Sequence, residues 1–242
     1  MDMMKKTLAE SLPGLGLELT DAIQDQLCAF GHAMVKQNEV MNLTGITEDD
    51  QVAKLHLIDS LTVLKCADLK GKTLIDVGCG AGFPGVPTAI GCPEAKVTLL
   101  DSLAKRMNWL ETVLPQLGTV LPQLGVANAE CVTARAEEAV ATRRESYDYA
   151  TSRAVARLNI LLELTAPYVK IGGAVLALKG AMAREELEEA KSAISKLGLQ
   201  VEAVKDFTVD KDTVHTVIVL RKVRPTPAKF PRRYAKIKQA PL

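Results

Sequence analysis

The chain has 242 residues, 48% of them apolar and 24% charged, the balance of a soluble globular protein with room for one full core and a small extension. A formal net charge of +1 announces no global attraction to nucleic acid, and five cysteines, an odd count without a C-x-x-C pair, argue against a zinc site or a disulfide framework. The opening MDMMKKTLAE lacks the apolar stretch of a signal peptide, and no run is long and apolar enough to span a bilayer, so a cytoplasmic protein without a membrane anchor is expected.

In chain order, residues 1–68 read as a helical extension. Thr20 is placed as an N-cap, and Ile23, Leu27, Phe30 and Met34 follow at helical spacing. NEVMNLTGI interrupts that pattern, and a second helix is expected from Val52 to Leu64, carrying His56 and Asp59. From Thr73 the grammar changes. TLIDV, KVTLLD, AECVTA, YDYATS and AVLALK are short β-rich runs alternating with helical ones, the pattern of a parallel sheet with crossover helices. A helix from Met182 to Leu197 shows Leu187, Ala190, Ile194 and Leu197 on one face, with Gly198 as its C-cap. LQVEAVKDFTV and VHTVIVLRKV are separated only by DKDT, too short for a parallel crossover, so this last pair must be antiparallel. The α/β domain therefore covers 69–223.

Residues 224–242 form a basic tail. From Arg221 to Leu242 there are eight Lys or Arg and no Asp or Glu, a solvated tail or a phosphate-binding arm. A tandem repeat is also present, TVLPQLG at Thr112–Gly118 and again at Thr119–Gly125. Leu114, Leu117, Leu121 and Leu124 could share a helical face, but Pro115 and Pro122 each oppose a continuous helix at a cost of about 3 kcal/mol. One copy reads as an insertion away from the chemistry.

LIDVGCGAGFPGVP, from Leu74 to Pro87, is the richest stretch. Gly80, Gly82 and Gly85 fit the dinucleotide pattern G-x-G-x-x-G, whereas Asp76, Gly78 and Gly80 fit D-x-G-x-G. Asp101 ends the next β run at a spacing suited to holding a ribose diol, which both NAD and S-adenosylmethionine possess; it could equally cap the following helix. A carboxylate at Asp76 would repel a pyrophosphate and suit a sulfonium; Asp76 could instead be a buried acid fixing the turn, and the two roles are compatible. On this ground a methyl donor is favoured over a hydride carrier.

The methyl acceptor is less legible. Cys79 lies inside the glycine loop and no other cysteine sits in a nucleophile context, against a pyrimidine C5 acceptor; the N/D-P-P-Y/F motif of adenine amine methylation is absent. A guanine N7 needs no deprotonation and tolerates a site without a general base. Arg153 and Lys179 end β runs, where α/β ligands bind, and Arg135 and Glu137 follow another; each could instead be a surface charge.

NLTGI, HLIDSL, IDVGCGAGFPGVP, LLDSLAKR, ARAEE, SRAVARL and ALKG, in this order, resemble the bacterial RsmG family of methyltransferases, also called GidB. The resemblance implies an α/β class I S-adenosylmethionine-dependent fold, Rossmann-like, with a seven-stranded, mostly parallel sheet ending in an antiparallel hairpin. It implies methylation of N7 of a guanosine in 16S ribosomal RNA, in the 530 loop, within a small-subunit particle or its precursor. It places the donor against Gly78, Phe83, Ala136, Glu137 and Arg153; Gly80 and Asp101 join them from the loop and spacing arguments. No catalytic side chain and no metal are implied, and a monomer is expected. The tandem repeat departs from the family's usual length. A noncatalytic RNA-binding module, and an NAD-dependent dehydrogenase using Gly80, Gly82, Gly85 and Asp101, stand as alternatives.

Overall fold

The computed structural model describes residues 2–118, 126–211 and 213–242. The second TVLPQLG copy, with Leu121, Pro122 and Leu124, lies outside the described residues.

The N-terminal region begins with helices α1 (Met3–Leu15) and α2 (Asp21–Met41). Asp2 starts α1 by accepting the Met4 N–H at 3.0 Å, and Thr20 starts α2 by accepting the Ile23 N–H at 3.4 Å. Asn42 ends α2 in the left-handed region at φ 49°. The second helical stretch is longer and less uniform than the expected Val52–Leu64 helix. It runs through α3 (Asp49–Val52), a π-helical turn at Ala53–Ile58, α4 (Asp59–Leu61) and a 3-10 turn at Thr62–Lys65. A π turn widens the helix and changes the direction of the side chains around it. Here it carries His56 and ends beside Asp59.

The sheet follows the expected strings closely. Strands β1 (Thr73–Val77), β2 (Lys96–Asp101), β3 (Ala129–Thr133), β4 (Tyr147–Arg153) and β5 (Val169–Lys179) are mutually parallel. They are joined through α5 (Gly85–Gly91), α6 (Ala104–Val113), α7 (Ala136–Arg143) and α8 (Leu158–Thr165). After β5 come α9 (Ala183–Glu189) and α10 (Lys191–Leu197), then β6 (Leu199–Asp210) and β7 (Thr213–Lys222). The spatial order is β3-β2-β1-β4-β5-β7-β6, with β7 antiparallel to both of its neighbours. The expected single helix over Met182–Leu197 is broken at Ala190, whose ψ of 0° leaves the helical region. The break accompanies two pulls on α9: Glu186 accepts the Leu158 N–H, and Glu189 takes the Arg157 guanidinium through two hydrogen bonds. Gly198 ends α10 at φ 77°, as expected of a left-handed cap.

Helices cover both faces of the sheet, which is why its central strands are almost continuously apolar. Side chains alternate between the faces. Leu74 and Leu99 join one cluster with Leu27, Phe30 and Met34 of α2, so the N-terminal helices share a core with the sheet. Ile75, Val77, Val175 and Ile218 join the other, against α8 and α10.

The basic segment is folded back on the sheet domain and does not extend as a solvated arm. Lys222 is fully buried, and its ammonium donates to the Ala166 carbonyl at 2.7 Å and to Thr226 at 2.6 Å. Burial pushes its pKa down to about 8. Phe230 and Ile237 are buried, the latter on a short helix α11 (Tyr234–Gln239). Arg232 forks onto the fully buried Glu163 at 2.8 and 2.6 Å. Thus part of the charge block is structural, while Lys229, Arg233, Lys236 and Lys238 remain exposed.

Candidate functional site

Parallel strands deliver their carboxyl ends to one edge, and a cleft of about 650 Å³ opens there. Gly78, Gly80, Phe83, Asp101, Ala136, Glu137 and Arg153 all line it. They come from four separate strand ends, brought together by the register of β1 with β2 and β4 and of β2 with β3. Arg135 and His56 also line the cleft, whereas Lys179 and Asp59 lie at an adjoining chamber.

The glycine loop is shaped by close approach. Gly78 sits at φ 74°, and a Cβ there would come within 2.5 Å of Val155. Gly85 is in tighter contact, since a Cβ would meet Leu99 at 2.3 Å and Asp76 at 2.8 Å. Asp101 holds the loop from the next strand. One oxygen accepts the Gly80 N–H and the other the Leu103 N–H, both at 2.9 Å. Each oxygen keeps a second lone pair for a diol.

Asp76 does not face the cleft, which corrects the argument that it would meet a sulfonium. It is fully buried, and Oδ2 accepts the Gly85 N–H at 2.7 Å. Burial raises its pKa to about 7, against the Gly85 hydrogen bond and the Arg153 charge. The alternative, a buried acid fixing the turn, is what the structure shows. Asp76 nevertheless bears on the choice of ligand by another route. A pyrophosphate needs free N–H groups at the start of the helix. Here Gly85 is taken by Asp76, Gly82 and Phe83 by the Cys79 carbonyl, and Val86 by the Gly82 carbonyl. Pro84 and Pro87 have no N–H to offer. The loop satisfies these donors internally, so a dinucleotide would find little to hold its phosphates. A ligand with a ribose and no phosphate fits better.

Arg153 organises the opposite wall. Its Nη1 donates to the Asp59 carboxylate at 2.7 Å and to the Leu55 carbonyl at 2.9 Å. Its Nη2 donates to His56 Nδ1 at 3.1 Å, and the guanidinium lies 5.2 Å from the centre of the Phe83 ring. His56 stacks on the same ring at 4.8 Å. Asp59 in turn accepts from His215 Nδ1 at 2.7 Å. Burial alone would raise the Asp59 pKa; the His215 hydrogen bond and the Arg153 charge outweigh it and hold the carboxyl below its ordinary value. Arg153 is therefore an anchored guanidinium and not a surface cation.

Burial and the neighbouring Arg153 push the His56 pKa down to about 4, so its ring is neutral near pH 7. Because Nδ1 accepts from Arg153, the proton sits on Nε2 and is donated to Thr44 Oγ1 at 2.9 Å. Thr44 Oγ1 also accepts the Ile46 N–H at 3.0 Å. With both lone pairs used, the Thr44 hydroxyl proton is left to be donated, and Thr44 lines the cleft. Asn38 fixes the loop by accepting the Leu43 and Thr44 N–H groups. Cys79 offers no nucleophile: it is buried against Met107 Sδ, and burial raises its thiol pKa well above the ordinary value.

Three contributors escaped sequence reasoning. Thr44 lies in NLTGI, which interrupts the helical pattern and opens the series of family-like motifs, but nothing in that string singles out the threonine. His215 looks like one more residue of a β run. Tyr234 lines the cleft from the tail, where its N–H donates to Glu137 at 3.3 Å.

Known proteins resemble this chain along nearly its whole length. Residues 23–215 match the family model GidB, described as rRNA small subunit methyltransferase G. The protein called ribosomal RNA small subunit methyltransferase G in Alkaliphilus oremlandii is 42% identical, with 99% of each chain covered. The protein of the same name in Alkaliphilus metalliredigens is 39% identical, with 95% of each covered. Among solved structures, M. jannaschii TYW2 in complex with AdoMet superposes with a TM-score of 0.53 at 14% identity, over 69% of this chain and 76% of that one, a likeness of fold. The sheet order, the loop and the full-length relatives agree, and the chain belongs to the GidB family of small-subunit ribosomal RNA methyltransferases.

Proposed function

We propose that this protein transfers a methyl group from S-adenosylmethionine to N7 of a guanosine in 16S ribosomal RNA, in the 530 loop, acting as a monomer on a small-subunit particle or its precursor in the cytosol. The observation that carries this reading is the convergence of all seven residues on one cleft whose glycine loop has engaged the N–H groups of Gly80, Gly82, Phe83, Gly85 and Val86 within the protein.

S-adenosylmethionine supplies a methyl group already activated on a sulfonium. Asp101 is suited to its ribose, and Ala136 and Glu137 to the adenine end at the start of α7. Arg153, Phe83 and Thr44 form the wall at the other end. The protein's task is then mainly alignment of two reactants. A guanine N7 presents a lone pair without a proton, and the cleft agrees: both His56 nitrogens are engaged, so the ring is not free to act as a base. Exposed Arg233, Lys236 and Lys238 lie beside Tyr234 at the cleft and would meet RNA phosphates.

Mass-spectrometric mapping of modified nucleotides in 16S ribosomal RNA, from cells with and without the gene, tests the reading. The expected result is one N7-methylguanosine missing without the gene. An unchanged map would sink it. RNA binding without methylation of small-subunit particles would favour the noncatalytic module.

A further inference from the structure

Beside the main cleft lies a second chamber of about 570 Å³. His56, Arg153, Ala154 and Val155 line both spaces and so form the wall between them. Ala154 holds a left-handed φ of 56°, unusual without glycine and most often retained where a site requires it.

Another part of the chamber's lining is a nearly buried ion pair. Lys179, at the end of β5, and Glu186, on α9, meet at 2.8 Å with side chains 6% and 15% exposed. Lys179 Nζ also donates to the Ala156 carbonyl at 2.6 Å, which leaves one of its three N–H groups. Glu186 Oε2 accepts from both Lys179 and the Leu158 N–H, while Oε1 has no partner among the described residues. Buried polar groups usually exhaust their capacity. This pair keeps one charged donor and one charged acceptor in hand, with the backbone holding both side chains in place.

We propose that the second chamber receives the nucleobase to be methylated, and that Lys179 and Glu186 read its lactam edge, a ring carbonyl beside a ring N–H. The ammonium donates to the carbonyl and the carboxylate accepts the N–H. Guanine offers this edge at O6 and N1; adenine and 2,6-diaminopurine offer an amino group and a bare nitrogen instead. In the same orientation those bases set donor against donor and acceptor against acceptor, a mismatch that a buried polar site rejects strongly. With the six-membered edge held by the pair, the five-membered ring is left to face the wall shared with the cleft. This inference rests on the proposed guanine methylation and adds the site that selects the base.

The test uses small-subunit particles reconstituted with guanosine, inosine or 2,6-diaminopurine riboside at the nucleotide the wild-type protein methylates. Inosine keeps both lactam atoms; diaminopurine keeps N7 and replaces them. Wild-type protein should methylate inosine within about fivefold of guanosine, and diaminopurine roughly 100-fold more slowly. Glu186→Gln should lose about tenfold in kcat/KM on guanosine, with its S-adenosylmethionine Kd, read by calorimetry, unchanged. Equal rates on guanosine and diaminopurine, or an unchanged kcat/KM in Glu186→Gln, would overturn the chamber's assignment while leaving guanine methylation standing. No methylation of any guanosine by the wild-type protein would overturn the underlying function itself.

Discussion

Asp76 is fully buried with Oδ2 bonded to Gly85, while Oδ1 has no hydrogen-bond partner among the described residues. Its pKa rises from an unfolded value near 3.9 to about 7. The folded state therefore holds a proton that the unfolded state has already lost, and stability falls as pH climbs from about 4 to about 7. Asparagine in its place keeps an acceptor for Gly85 and does not titrate. Asp76→Asn should therefore gain on the wild type by something on the order of 2 kcal/mol, a few degrees of Tm, between pH 5 and pH 8. Thermal melts across that range check it; a pH-independent difference would contradict the assignment. Thr44 supports a second test at this scale. Thr44→Val removes the free hydroxyl proton in the cleft and should weaken S-adenosylmethionine binding about tenfold, whereas Thr44→Ser should restore it. Calorimetry on the two variants separates this from a loss of shape.

At the scale of elements, the tail is held by one strong clasp. Glu163 is inaccessible on α8, and Arg232 supplies its countercharge together with a backbone N–H at 2.8 Å. Arg232 is itself partly exposed, which softens the pair. Arg232→Ala leaves Glu163 buried with one remaining donor from the tail, and should cost about 3 kcal/mol in urea unfolding. The effect should reach the cleft, because Arg232 lies two residues before Tyr234, which lines it. S-adenosylmethionine affinity should drop in the folded variant; an unchanged Kd would show that the tail is a clasp without influence on the site.

For the whole molecule, the layout sets the described ends of the link that carries the repeat apart from the chemistry. The cleft gathers the carboxyl ends of β1, β2 and β4 with the turn after β3, while the link from α6 to β3 meets the opposite end of the sheet. Within that link Leu114 and Leu117 are buried, and Val126 donates to the Leu114 carbonyl at 3.2 Å. Deleting residues 119–125 removes none of these anchoring residues. S-adenosylmethionine affinity should stay within about twofold of the wild type, an amount under 0.5 kcal/mol, and a large loss would show that the second copy supports the sheet.

Much of this organisation was legible in the chain. The strings of β1, β2 and β5 became strands because their apolar runs are buried on both faces, and DKDT forced the last pair to be antiparallel through its shortness alone. Gly80 and Asp101 followed from the loop and its spacing, and Gly78, Phe83, Ala136, Glu137 and Arg153 from the family resemblance; the parallel sheet then brings their strand ends to one edge. What local pattern could not reveal was direction and long-range partnership. Asp76 alternates with Ile75 and Val77 and so shares the α5 face with Leu74, which turns it away from the ligand. The Thr44 hydroxyl is freed only because His56, Arg153, Asp59 and His215 connect segments up to 156 residues apart. Lys222 and Arg232 of the charge block became structural for the same reason. Sequence determines where glycine, strand and helix must fall, since those follow from local sterics and burial. Only the tertiary structure decides which lone pair or proton is left over, since that depends on every neighbour at once.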